Sequence, residues 1–342
     1  LYLLCDFPLT EWVDFVRVNQ PKQSFARGEI MKKQWFVLSL VLVAAMLLAS
    51  CAPAATAAPT AAAVEATSTS AEAAAAPAVV ATIASDKLVQ KNHLLVCTDF
   101  PYPPQEYFDE NGDPQGLDID LGNEIGARLG LKVQYVNSVF DTIIAAVSSG
   151  KCDIAISAMN ITAERSKQVS QIPYFEAGQS FVAVKGNPHK ITGEMDLCGQ
   201  AVAAESGTTE VEYLQGTGDY QDKGLTQKCT AAGKDKVNVV ITQKDSDALQ
   251  QLQADKVVAY STDSPVAAYY TVQHPDQFEV VGQVVEPVKE GIGVPCGQAD
   301  CTSAPLSPVG EAVKAALDSM RSDGTYEKIL AKWNLTNSAV TQ

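Results

Sequence analysis

From about residue 86 onward, short apolar runs alternate with stretches in which apolar residues return every three or four positions. Residues 94–97, Leu-Leu-Val-Cys, have the length and content of a buried strand, as do 132–136 and 153–157. Between them the spacing predicts helices over 121–129 and 142–149. The pattern returns with strands at 200–204, 237–241 and 257–261, a helix over 246–254, and two helices within 308–332 that are apolar at i, i+3 and i+4. Strands and helices in this order predict a parallel α/β architecture, with two sheets, one for each half.

In open α/β sheets ligands bind beyond the carboxyl ends of the strands, so the loops that follow strands are where chemistry is sought. The loop 98–106 carries Asp99 and Tyr102 among three prolines that stiffen it. Residues 157–165 read Ser-Ala-Met-Asn-Ile-Thr-Ala-Glu-Arg, with Ser157, Ala158, Asn160 and Arg165 crowding the end of a buried strand. Residues 205–210, which include Glu205, Thr208, Thr209 and Glu210, form a small-residue turn able to present backbone N–H groups at a helix start. Thr262-Asp263-Ser264-Pro265 sets an acid before an N-cap and a proline at the first helical position. Each segment has a structural alternative: Asp263 can cap a helix, Arg165 can pair with a surface acid, and 207–209 can be a plain turn. Together they supply a guanidinium, a carboxylate, hydroxyls, amides and aromatic rings, the groups needed to hold a zwitterion.

Composition narrows the classes. The chain has 342 residues, 46% hydrophobic and 19% charged, enough for one large or two medium domains with proper cores. Its formal net charge of −15 argues against an electrostatic grip on nucleic acid or on an anionic membrane surface. Met31-Lys32-Lys33, an apolar stretch over 35–48 and Leu48-Ala49-Ser50-Cys51 have the layout of a secretory signal. That stretch is shorter than the roughly 20 residues a membrane-spanning helix needs. Leu-Ala-Ser-Cys resembles the bacterial lipoprotein box, which implies cleavage before Cys51 and diacylglycerol on its sulfur. Residues 1–30 are then expected to be upstream sequence, 31–50 a signal peptide, and 51–85 the lipidated cysteine with a tether rich in Ala, Pro and Thr.

The run Gly116-Leu117-Asp118-Ile119-Asp120-Leu121, with Ile125-Gly126 and Leu129, resembles the signature of the family 3 extracellular solute-binding proteins, the polar amino acid receptors of ABC importers. The likeness extends over nearly all of 86–335 and includes the ending Asp323-Gly324-Thr325-Tyr326-Glu327-Lys328. It implies a two-lobe periplasmic-binding-protein fold of type II, with two α/β lobes joined by two crossing strands: a first lobe over 86–180 completed by 283–342, and a second over 181–282. It also implies a ligand trapped between the lobes by hinge closure. By resemblance, Arg165 binds an α-carboxylate, Asp263 an α-ammonium, Tyr102 and Phe140 sandwich the side chain, and Thr209 donates to the carboxylate. Ser157, Ala158 and Asn160 offer polar groups, and Asp99 is an acid near the side-chain pocket. Gln105 replaces a common aromatic, Ala158 and Asn160 stand where hydroxyls are frequent, and Glu210 lies where glutamine is often found. Acids at Asp99, Glu205 and Glu210 favour a basic amino acid, arginine or lysine, with glutamine next.

The resemblance further implies a lipid-anchored, extracytoplasmic monomer that serves a permease and an ATPase, with no cofactor. The competing class is an enzyme on the same scaffold, resembling a cyclohexadienyl dehydratase, in which Glu205 or Glu210 is the acid or base. Against it stands the ammonium-binding Asp263, of little use to a substrate without that amine. Apart from Cys5 and Cys51, six cysteines remain, and export permits disulfides. Spacing pairs Cys198 with Cys229 and Cys296 with Cys301. Cys97, near the end of its strand, and Cys152, at the start of another, are expected to be buried free thiols, since parallel strands would hold them at opposite ends. A metal site is not expected, because there is no Cys-x-x-Cys and the three histidines are scattered.

Overall fold

A computed structural model describes residues 77–298 and 300–340. The segment 1–30, the leader 31–50, Cys51 and the tether as far as residue 76 lie outside the described residues. In chain order, β1 (His93–Thr98), the short pair β2 (Tyr107–Phe108) and β3 (Pro114–Gln115), α1 (Leu117–Arg128), β4 (Lys132–Asn137), α2 (Phe140–Ser148) and β5 (Ile154–Ala155) come first. The long strand β6 (Ser170–Val184) leads to β7 (Ala201–Glu205), α3 (Thr209–Gln215), α4 (Leu225–Ala231), β8 (Asn238–Thr242), α5 (Asp245–Gln253), β9 (Ala259–Asp263) and α6 (Ser264–Gln273). The long strand β10 (Phe278–Val294) returns, and α7 (Pro308–Ser322) and α8 (Thr325–Lys332) close the chain.

The strands hydrogen-bond in the order β4-β1-β5-β10-β6-β9-β7-β8. Two separate sheets were the expectation from alternation alone; instead the antiparallel pair β6 and β10 runs through both halves and joins them. At one end Gly293 of β10 pairs with Ala155 of β5, and at the other Gln179–Val182 of β6 pairs with Tyr260–Asp263 of β9. The parallel triplets β4-β1-β5 and β8-β7-β9 flank this spine. The ladder between β6 and β10 loses register between Val281 and Val285, again before Val288, and between Glu290 and Gly291.

Separate cores lie on either side of the spine. In the first lobe, Leu94, Val96, Ile154, Ile172, Tyr174 and Ile292 on the sheet pack against Leu121 and Ile125 of α1 and Val313, Leu317, Tyr326 and Leu330 of α7 and α8. Ile143 and Val147 of α2 cover the opposite face over Cys97, Ala155 and Met159. In the second lobe, Leu197, Val202, Tyr213, Leu214 and Leu225 fill one face, while Leu252, Val182, Tyr260 and Ala267 fill the other. Burying so many aliphatic side chains, each contributing roughly 1.5–3 kcal/mol, lets each lobe hold its own loops in place.

Two further expectations change. The end of the expected tether docks on the domain: Ile83 enters the first-lobe core and the Val80 N–H donates to Arg128 O at 2.9 Å. Ile83 is the side chain that leaves water here, whereas Val80 is tied down through its backbone and stays exposed. Cys97 and Cys152 are joined, with Cα atoms 5.7 Å apart. The chain bends over 151–153 before β5 begins, so Cys152 is not a strand residue held in the parallel register and can reach its partner. The pairs Cys198–Cys229 and Cys296–Cys301 are also bonded. Among the described residues no helix is long and apolar enough to cross a membrane, and no cluster of His, Cys, Asp or Glu is arranged to hold a metal ion.

Candidate functional site

The carboxyl ends of β1, β5, β7 and β9 converge on one cavity between the lobes. Its lining contains all twelve residues singled out above, Asp99, Tyr102, Phe140, Ser157, Ala158, Asn160, Arg165, Glu205, Thr208, Thr209, Glu210 and Asp263, together with Glu106. The first lobe supplies the residues up to Arg165, and the second supplies the rest.

Arg165 is 7% exposed, so it is no surface ion pair. Its Nη1 donates to Asn160 O at 2.7 Å and its Nη2 to Gly207 O, across the cleft, at 3.0 Å. The guanidinium lies 5.2 Å from the centroid of the Phe140 ring. Among the described residues no carboxylate comes within ion-pair distance of it, although a guanidinium has five N–H donors. Burial pulls its pKa down, opposed by the acids of the second lobe, chiefly Glu212 and Glu210. A buried cation without a counter-charge is costly unless something anionic joins it.

Asp263 resolves its own ambiguity. It stands at the N-cap of α6, yet its side chain makes no capping hydrogen bond. Oδ2 instead accepts from the Tyr102 hydroxyl at 2.8 Å, and Oδ1 is buried without a partner among the described residues. Burial, then the charge of Glu210, raises the Asp263 pKa well above the usual carboxylate range. Tyr102 is fixed in turn by Thr262 Oγ1 and the Asp263 N–H, each at 3.2 Å.

The turn at 205–210 is more than a connection. Thr208 Oγ1 donates to Glu205 O at 2.7 Å and accepts from Val211 N, holding the entry to α3. Asn160 Nδ2 of the first lobe donates to Thr209 Oγ1 at 2.7 Å. Gly207 has φ +78°, and a Cβ there would lie 2.6 Å from Asp141 Cβ and 2.7 Å from Asp141 Cα, across the cleft. Only glycine meets both conditions. Glu205 and Glu210 each keep one buried oxygen unpartnered among the described residues. Burial, followed by the charges of Asp245 and Glu210, pushes Glu205 up to about 9.

On the first-lobe side, Ser157 Oγ donates to Glu106 Oε1 and accepts from Asp99 N at 2.9 Å. Ala158 has φ +42°, and its N–H is held by Asp118 Oδ2 at 2.9 Å. Asp99 Oδ2 accepts from Phe140 N at 2.7 Å, which aims α2 and its aromatic ring at the cavity. Its other oxygen, Oδ1, pairs with Lys244 of the second lobe.

Sequence reasoning missed Glu106 and Lys244. Glu106 stood in a loop recognised for its carboxylates, and its signal was its place two residues after Pro104 at a strand end. It is fully buried, its Oε2 is unpartnered among the described residues, and burial with the nearby Asp118 charge raises its pKa well above the ordinary value. Lys244 carried no local signal at all.

Comparison with known proteins identifies the family. The model of the bacterial extracellular solute-binding proteins, family 3, matches residues 94–336. The lysine/arginine/ornithine-binding periplasmic protein of Escherichia coli (strain K12) is 28% identical over 262 residues, which cover 74% of this chain and 92% of that one. An ancestral arginine-binding protein, solved bound to arginine, is 37% identical with a TM-score of 0.61, over 71% of this chain and 98% of that one. The ancestral amino acid-binding protein AncCDT-1, described as a precursor of cyclohexadienyl dehydratase, is 32% identical with a TM-score of 0.57, over 71% of this chain and 95% of that one. The family model spans most of the chain, and this chain belongs to the bacterial extracellular solute-binding proteins, family 3.

Proposed function

We propose that this protein is the extracytoplasmic receptor of an ABC importer and captures an L-amino acid with a cationic side chain, arginine before lysine and glutamine after them. One observation carries the reading. An unneutralised guanidinium on the first lobe, Arg165, and a half-satisfied carboxylate on the second, Asp263, face the same cavity. An α-carboxylate seated on Arg165 and an α-ammonium on Asp263 complete both charges only when the lobes are together, which supplies the differential affinity that closure requires. A planar guanidinium also gives a carboxylate two parallel hydrogen bonds. The side chain then runs between Tyr102 and Phe140 towards Glu205, Glu210 and Glu106, whose unpartnered oxygens suit a distal cation. The relatives named for arginine and for lysine, arginine and ornithine support that order.

The lobe boundaries proposed with this reading are 86–180 with 283–342, and 181–282. Cys51 carries the lipid that holds the receptor at the membrane, where a separate permease and ATPase receive the ligand; Cys51→Ser is expected to release the protein from the membrane fraction. Calorimetry with the twenty amino acids tests the ligand. Arginine binds at micromolar concentration or below, and the absence of binding by every amino acid refutes the reading. Arg165→Lys, which loses the paired hydrogen bonds, is expected to weaken all amino acid ligands by a common factor of roughly 10 to 150. A loss confined to one side chain contradicts the carboxylate role.

A further inference from the structure

Of the cavity's carboxylates, Asp99 is the one whose two oxygens are both taken by the protein. Oδ2 accepts from Phe140 N at 2.7 Å, and Oδ1 is paired with Lys244 Nζ. Glu106, Glu205, Glu210 and Asp263 each retain an oxygen without a partner among the described residues. Lys244 belongs to the second lobe: it follows β8 and stands at the N-cap of α5, where its side chain caps nothing. That side chain crosses the cleft, and its Nζ also lies 3.4 Å from Ser138 O of the first lobe. Beside it Ser206 Oγ meets Asp141 Oδ2 at 3.2 Å, so residues 138–141 of one lobe and 206 and 244 of the other form a continuous seam at the cavity's edge.

We infer that Lys244 is an internal counter-ion that occupies Asp99 in place of the ligand, so that the pair is a strut between the lobes and the ligand's distal cation falls to Glu205 and Glu210. The second half of this inference rests on the proposed amino acid ligand; the strut does not. The physical logic is competition. An ammonium tethered to the second lobe meets Asp99 whenever the cleft closes, at an effective concentration no free ligand matches. The pair is well formed on its acid side, where Asp99 is 5% exposed, and more open at Lys244, which is 24% exposed, so salt weakens it only in part. Lys244 is thus a positioning and specificity-determining residue: it removes one acid from the side-chain pocket and stabilises the closed form for any ligand.

Lys244→Met, Asp99→Asn and the double variant test this, with Asn retaining an acceptor for Phe140 N. Asp99→Asn is expected to weaken arginine, lysine and glutamine alike, by about tenfold, Lys244→Met to weaken glutamine by a similar factor but arginine and lysine less, since it frees Asp99 for their cations, and the double variant to weaken glutamine no more than either single one. If Asp99→Asn weakens arginine and lysine while sparing glutamine, and Lys244→Met leaves glutamine unaffected, Asp99 belongs to the ligand and the inference is overturned. Small-angle scattering of the unliganded proteins reads the strut independently of any ligand. Lys244→Met is expected to have the larger radius of gyration, and equal radii overturn the strut. Failure of every amino acid to bind the unaltered protein sinks the proposed function but leaves this second measurement intact.

Discussion

Gly207→Ala separates the energetics of folding from those of closure. The turn that contains Gly207 belongs to the second lobe, held there by Ser206 N on Thr242 O at 2.8 Å and by Thr208 Oγ1 on Glu205 O at 2.7 Å. Its φ of +78° is therefore kept whether the cleft is open or closed. Placing an L side chain in the left-handed region costs about 1–2 kcal/mol, and this lowers the melting temperature of the unliganded protein by a few degrees. The second cost exists in the closed form alone. An added Cβ would sit 2.6 Å from Asp141 Cβ and 2.7 Å from Asp141 Cα, and one of those is backbone that cannot rotate away. Overpacking of this kind costs about 1–3 kcal/mol, a loss of ligand affinity of roughly 5- to 150-fold. The control is Gly112→Ala, at φ +87° with no heavy atom within 4 Å of the added Cβ, which shares the conformational cost and not the collision. Calorimetric titration with the best amino acid ligand, beside thermal unfolding of both variants without ligand, gives the two costs separately. Equal affinities for Gly207→Ala and Gly112→Ala refute the claim that the cleft shuts on this turn.

The unliganded protein is expected to lose stability as pH rises. Glu205 is pushed from the ordinary 4.5 up to about 9 and Asp118 and Asp245 from 3.8 to about 7, so the folded form holds protons that the unfolded form has released. The stabilisation is complete below about pH 4 and disappears as pH passes 7 and then 9; melting temperature against pH measures it, and Glu205→Gln flattens the upper part. A cationic ligand beside Glu205 favours its ionised form, so arginine affinity rises with pH relative to glutamine and binding releases a proton, seen as a dependence of calorimetric heat on the buffer's ionisation enthalpy. Reduction-free peptide mapping is expected to find Cys97 linked to Cys152, and Cys152→Ser to destabilise the fold by about 2–5 kcal/mol in urea titration; free thiols at both positions in the exported protein contradict the bond.

Much of the sheet was legible because its strands are short and either apolar, as in 94–97, or alternate apolar with polar residues, as at the sheet edge over 132–136. The crossing strands were not legible from periodicity. The middle of β10 alternates exposed and half-buried residues where it leaves one lobe's core and has yet to enter the other's, so it reads as polar connection. Arg165 and Asp263 were visible as polar groups at strand ends, but only tertiary placement shows that Arg165 pairs with no carboxylate among the described residues and that Asp263 declines to cap its helix. Lys244 was invisible for a related reason: in a polar run between strand and helix, nothing local distinguishes a lysine facing water from one reaching across a cleft. The Cys97–Cys152 bond was missed because a register argument treated Cys152 as a strand residue, whereas the bend at 151–153 frees it from the ladder. Asp118, noticed as part of a signature, turns out to hold the site's floor, with Tyr174 OH at 2.8 Å and Ala158 N at 2.9 Å on its carboxylate.

Phe181 and Val281, at the proposed bounds of the second lobe, are partners in the ladder of β6 and β10. The intervening hundred or so residues are thus a cassette whose two ends already lie side by side. Glu205, Glu210, Lys244 and Asp263 travel with the cassette, while Arg165, Tyr102 and Phe140 stay with the host. On the proposed reading, exchange of the cassette between relatives retunes which side chain is accepted while Arg165 stays with the host, and the same splice points accept a reporter protein whose signal follows the angle between the halves.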